Sequence, residues 1–170
     1  MDCAPVHAGT FVGRVVGKND QLWIQNDDGS EVIGVVGLKG VEGFGVTLTA
    51  AEGSWTAKGV GGSKWHGPDS WSVVDTSGTE VATLSKDGTI NAAGGSVRFE
   101  ARRMGSPKYS IEGLYSADRR TISKLAAGLT KKHFECEVTP ALVARPDGPI
   151  VLCLAAWRTY RAILDKIQSD

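Results

Sequence analysis

Residues 150–157 read Ile150-Val151-Leu152-Cys153-Leu154-Ala155-Ala156-Trp157, eight apolar residues in a row. A helix that is apolar all round must be buried all round. Pro149 suits a first helical turn, where its missing N–H costs nothing, and Asp147 or Gly148 can cap it. Beyond Trp157 one stripe stays apolar, through Tyr160, Ile163, Leu164 and Ile167, while Arg158, Arg161, Asp165 and Lys166 take the other face. The pattern predicts a helix over 149–167 enclosed by the rest of the chain. The rival reading is a buried strand at 150–154 followed by a surface helix.

What precedes that segment is written in strands and turns. Short runs rich in β-branched and aromatic residues occur at 12–16, 21–25, 31–36, 46–49, 55–60, 81–85, 89–92, 96–102, 109–115, 120–125 and 133–139. Turn signals separate them, among them Asn26-Asp27-Asp28-Gly29 and Asp87-Gly88, where glycine supplies positive φ. The 22 glycines are scattered, without a collagen period. A weak repeat of the form Asn/Asp-x-x-Gly-x-Glu-Val, with Trp23 or Trp71 upstream, predicts two hairpins with the same turn chemistry. Ten to twelve short strands so spaced predict a sandwich or barrel, and a barrel offers the natural enclosure for an all-apolar helix.

The order of these elements resembles the tubby C-terminal-like superfamily, which includes the plant LURP-one-related proteins and the phospholipid scramblases. Tyr109-Ser110-Ile111-Glu112-Gly113 is similar to that family's central strand, and Thr121-Ile122-Ser123-Lys124 with His133-Phe134-Glu135-Cys136-Glu137-Val138 to its late hairpin. Residues 149–156 resemble its closing helix. The likeness covers most of the chain in loose motifs. Asp147 only approximates the family's acidic residue before the helix, Arg158 and Arg161 make the helix end more basic, and Trp65-His66-Gly67-Pro68 has no counterpart. The resemblance implies a mainly β fold, a closed antiparallel barrel of about twelve short strands around the C-terminal helix, with residues 1–170 as one domain. It leaves function open, because fold is not function.

Lys plus Arg number 19, as do Asp plus Glu, so no basic excess points to nucleic acid. Cys3, Cys136 and Cys153 do not describe a disulfide framework. Met1-Asp2-Cys3-Ala4-Pro5 does not read as a secretory leader, and no apolar run reaches the length of a membrane-spanning helix. A cytoplasmic protein with reduced thiols is expected, peripheral to membranes if bound to them at all.

Chemical motifs are sparse. Cys3, His7, His133 and Cys136 supply zinc-type ligands, but residues 133 and 136 point to opposite faces of a strand. Asp27, Asp28 and Glu31 lack the loop and helices of an EF-hand. Gly59-Val60-Gly61-Gly62-Ser63-Lys64 lacks the order of a phosphate loop. Trp65, His66 and Trp71 bracket a Gly-Pro loop; they either enter an interface, stack on a ligand, or pack over a barrel end. Arg102, Arg103, Arg119, Arg120, Lys124, Lys131 and Lys132 cluster at hairpin tips, where they form either a lipid-headgroup face or a solvated surface. The expectation is a non-enzymatic, cofactor-free and metal-free binding module for anionic, phosphoinositide-type lipid headgroups or a protein partner. The alternative is a small-ligand carrier or enzyme using a barrel cavity.

Overall fold

A single meander of antiparallel strands closes on itself in the computed structural model, which describes residues 2–17, 21–38, 45–63, 65–102, 108–118 and 133–169, with side chains of the last helix described up to Leu164. The strands are β1 (Gly9–Val16), β2 (Gln21–Gln25), β3 (Val32–Gly37), β4 (Gly45–Ala50), β5 (Gly53–Val60), β6 (Ser70–Val74), β7 (Glu80–Ser85), β8 (Thr89–Ala92), β9 (Gly95–Arg102), β10 (Lys108–Ile111), β11 (Tyr115–Asp118) and β12 (Phe134–Val138). Each pairs with its sequence neighbours, and β12 pairs with β1, so twelve strands form a closed barrel. Closure removes every free sheet edge that would otherwise invite aggregation.

A one-turn helix α1 (Pro140–Val143) and the long helix α2 (Gly148–Ser169) follow. Thr139 caps α1 with its hydroxyl oxygen and also donates to the Gly113 carbonyl at 2.8 Å, fixing α1 to the β10–β11 turn. Asp147 shows a division of labour at the start of α2. Its backbone carbonyl accepts from Val151 N–H at 3.0 Å. Its carboxylate instead accepts from Gly94 N–H at 2.8 Å and from Arg145 at 2.7 Å. Burial alone works against that charge, but the Arg145 and Gly94 hydrogen bonds outweigh it and hold the carboxyl below its ordinary value. The helix start is thereby tied to the β8–β9 turn.

From there α2 runs inside the barrel. All eight side chains from Ile150 to Trp157 are buried, and the six from Val151 to Ala156 have no solvent exposure at all. The helix touches β3 and β4 on one side and β9, β10 and β11 on the other. The all-apolar run is therefore a helix, not a strand, and its enclosure follows from having no face that water could solvate. Close approach is allowed by small residues. A Cβ at Gly34 of β3 would lie 3.2 Å from Cys153 Sγ and 3.1 Å from the Ile24 side chain. One buried polar contact sets the rotation of the helix. Thr159 donates to the Ala155 carbonyl at 2.8 Å, and the Tyr115 hydroxyl lies 2.9 Å from the Thr159 oxygen.

The repeat seen in sequence is a repeat of turns. Gly29 N–H bonds the Asn26 carbonyl at 3.1 Å, and Gly78 N–H bonds the Asp75 carbonyl at 3.0 Å. The Asn26 and Asp75 side chains accept from Glu31 N–H and Thr79 N–H, both at 3.0 Å. Gly29 and Gly78 both adopt positive φ, 76° and 89°. Asp27, Asp28 and Glu31 thus belong to a turn. One predicted strand needs correction: residues 109–115 are not continuous but divide into β10 and β11 around Glu112-Gly113-Leu114. The predicted strand at 120–125 lies outside the described residues.

Leu152→Ala or Leu154→Ala should each cost about 2–5 kcal/mol, because either opens a cavity against rigid strands. Chemical denaturation midpoints measure the loss. Burial pushes the Cys136 and Cys153 thiols up to about 12. A thiol reagent at mildly alkaline pH should therefore modify neither until the protein unfolds, leaving the partly exposed Cys3 as the one site of reaction in the native state. Peptide mapping after labelling reads this directly.

Candidate functional site

In a closed antiparallel meander, successive connections alternate between the two rims. The β2–β3, β4–β5, β6–β7, β8–β9 and β10–β11 turns share one rim with the start of α2. The ends of β1, β3, β5, β7, β9 and β11 and the starts of the strands that follow them share the other, where α2 carries Arg158. Two contacts anchor this assignment. Asp147 bonds Gly94 at the helix-start rim, and Arg158 Nη2 approaches the Lys86 carbonyl at 3.4 Å at the helix-end rim.

The two halves differ in charge. Among the described residues, the helix-start half carries Asp2, Asp27, Asp28, Glu31, Glu52, Asp75, Glu80, Glu112, Glu137 and Asp147 against Arg145, with the Arg14 guanidinium reaching across from mid-strand to the Asp27 carbonyl at 2.6 Å. The helix-end half carries Lys58, Lys86, Arg98, Arg102, Lys108, Arg158 and Arg161 against Asp69, Asp87, Glu100, Asp118 and Glu135. The described charges are thus polarised along the barrel axis, strongly acidic toward one rim and leaning basic toward the other.

A cleft of about 530 Å³ opens at the helix-end rim, lined by Asp87, Arg98, Phe99, Glu100, Ala101, Arg102, Arg158, Arg161 and Ala162. Unequal strand lengths create it. β8 begins only at Thr89, which faces Arg98, while β9 continues to Arg102. One further bond, Phe99 N–H to the Gly88 carbonyl at 2.9 Å, closes the wall below the gap. The last described turns of α2 bring Arg158 and Arg161 beside it. The Arg158 guanidinium stands 5.9 Å from the centre of the Phe99 ring, a cation–π arrangement. Asp87 is occupied by its own turn. Its carboxylate accepts from Thr89 N–H at 3.0 Å. That bond, with the Thr89 hydroxyl and the nearby Arg98 charge, holds its carboxyl below the ordinary value. Four arginines against two carboxylates leave the cleft cationic. A second cleft of about 320 Å³ on the outer wall is lined mainly by hydroxyls and Trp55 and carries only Asp75 as a charge. A third, of about 240 Å³, sets Asp118, Glu135 and Glu137 against Lys108.

Of the residues expected to contact lipid, Arg102 lines the cationic cleft, whereas Arg103, Arg119, Arg120, Lys124, Lys131 and Lys132 lie outside the described residues. Sequence reading missed Arg98, Arg158 and Arg161 as partners of Arg102. The i, i+3 spacing of Arg158 and Arg161 was a signal for one helix face. Nothing local showed that this face meets β9. The aromatic bracket divides: Trp71 packs edge-to-face on Trp157, ring centres 5.3 Å apart, over the end of the core, whereas Trp65 is 90% exposed.

The zinc-type residues are dispersed. His7 bonds Glu31, and Cys3 Sγ approaches the Thr49 carbonyl at 4.0 Å, both toward the helix-start rim. Cys136 is buried beside Tyr115, and His133 stands at the opposite rim where β12 begins. Among the described residues no group of three or more such ligands converges. The His133 ring is 8% exposed, and neither nitrogen makes a well-formed hydrogen bond. Burial, joined by the nearby Arg14 charge, lowers its pKa and outweighs a loose contact with the Val15 backbone.

The sign of the His133 effect on stability is fixed. The unfolded chain takes up a proton near pH 6.5, the folded chain only at lower pH. Stability therefore falls as pH drops from about 6.5 toward the folded-state value. Denaturation midpoints should show this acid sensitivity, and His133→Gln should reduce it. Comparison with protein-family models, with curated proteins and with solved structures finds no match for the chain.

Proposed function

We propose that this chain is a non-enzymatic binding module of the tubby-like kind that docks on anionic, phosphoinositide-type membrane surfaces through its helix-end rim. The observation that carries the reading is the charge division between the two rims. Charges scattered evenly around a barrel cancel, whereas charges sorted by rim add. In the sequence, the residues outside the described ones that lie between strand ends of this rim comprise nine basic residues against Asp20 and Glu42. Arg119, Arg120, Lys124, Lys131 and Lys132 fall between Asp118 and His133, both of which stand at that rim. Each basic residue near an anionic leaflet contributes about 1 kcal/mol, so several suffice for reversible attachment.

The carrier or enzyme reading needs space inside the barrel. That space is filled by Val151 to Ala156, packed against strands on both sides. No described helix is long and apolar enough to cross a membrane. Peripheral attachment asks for none.

Sedimentation with phosphatidylcholine vesicles, alone and with phosphatidylserine or a phosphoinositide, tests the reading. The protein should pellet only with the anionic vesicles and at low salt. Binding should fade as the Debye length falls from about 10 Å at 0.1 M to about 3 Å at 1 M. Replacing Arg119, Arg120, Lys131 and Lys132 by glutamate should abolish it. Absence of binding at low salt, or full binding by that variant, rejects the proposal.

A further inference from the structure

We infer that the connection between β5 and β6, residues 61–69, is an interfacial anchor that inserts Trp65 into the headgroup region of an anionic bilayer. The inference rests on the membrane-docking reading above and adds to it the apolar contact that fixes depth and orientation.

Trp65 is the outlier among five tryptophans. Trp23, Trp55 and Trp71 are half-buried and Trp157 is buried, whereas Trp65 is 90% exposed. An indole left in water forfeits the burial of roughly 150–250 Å². Such exposure would be unremarkable on a loosely held tip, but this connection is firmly built. Ser63 and Gly67 exchange both backbone hydrogen bonds, at 3.2 and 2.9 Å. His66 N–H donates to the Ser63 hydroxyl at 3.1 Å. At the base, Asp69 N–H bonds the Val60 carbonyl at 3.0 Å, and the Asp69 carboxylate accepts from Gly62 N–H at 2.9 Å. Gly62 has φ +78°, and a Cβ there would overlap the Gly67 carbonyl. The described residues of the turn are thus hydrogen-bonded at base and tip, and the Trp65 side chain stands in solvent.

Its position selects the partner. The turn lies on the helix-end rim, with Lys58, Lys86, Arg102, Arg158 and Arg161. Val60, 49% exposed, stands at the foot of the same turn. A protein interface needs a contiguous apolar core with a polar rim. One indole and one valine, on a rim otherwise populated by charged residues, do not supply it. They match a bilayer interface, where an amphipathic ring settles at headgroup level and diffuse positive charge meets anionic lipid.

The test uses the full chain, Trp65→Phe and Trp65→Ala, with phosphatidylcholine–phosphatidylserine vesicles carrying acyl-chain bromines that quench nearby indoles. In the wild type a share of the fluorescence should be quenched on binding. Trp65→Phe, which keeps the other four tryptophans, should bind with that quenching absent. Trp65→Ala should bind about tenfold more weakly, as loss of partial indole burial predicts, with an unchanged melting temperature. Wild-type binding without quenching, or equal binding by Trp65→Ala, overturns the anchor while leaving electrostatic docking intact. Weakened binding by Trp65→Ala without any quenching of the wild type also overturns it. Failure of the wild type to bind any anionic vesicle overturns both.

Discussion

Enclosure of α2 is the constraint on which the rest of the structure depends. Eight consecutive apolar residues in a helix cannot be placed on a surface, so the sheet must surround them. A barrel wide enough to admit a helix of about 10 Å diameter needs more strands than one packed with side chains alone. Twelve strands meet that requirement. The fit is then refined by size: Ala155 and Ala156 on the helix, Gly34 on the wall, and Tyr115 bonded to Thr159. The last of these is a directional contact in a largely apolar core, and directional contacts specify one packing among many.

Much of this was legible in the sequence because it rests on local pattern. The apolar run at 150–157 dictates burial by itself. The Asp-x-x-Gly turns identify themselves through glycine's access to positive φ. Where the pattern failed, the reason is physical. Residues 109–115 read as one strand because alternation survives the turn within them: Tyr109, Ile111, Tyr115 and Ala117 are all buried, at even spacings. Periodicity is blind to a reversal that keeps parity. Gly113, with φ +76°, was the local signal. The cationic cleft was illegible for another reason. Arg98 and Arg102 are joined to Arg158 and Arg161 only through strand order and the direction of the helix, which no local window contains.

Polarity of the rims has a partly structural origin. A buried helix presents the positive end of its dipole at the start of α2 and the negative end at the other rim. Asp147 complements it at the first rim, whereas Arg158 and Arg161 lie well before the last turn of a helix that runs on to Ser169. That effect, however, fades beyond the terminal turns of a helix. It accounts for Asp147. It does not account for Asp27, Asp28, Glu52 and Asp75, which stand on hairpin turns, nor for Lys58, Lys86 and Arg102 on strands and turns of the opposite half.

Those surplus charges carry the functional argument. If the only demand on the rims were helix complementation, the remaining charges would be free to mix, and mixing is the arrangement that minimises repulsion within each rim. Gathering most of the carboxylates at one rim and most of the basic residues at the other runs against that tendency, a cost that an anionic partner at the basic rim would offset. A second surplus lies on the same rim: a hydrogen-bonded turn that carries the exposed Trp65. Neither the crowded charge nor the exposed indole stabilises the isolated barrel. Each becomes favourable against a surface that is negative at its face and apolar just beneath.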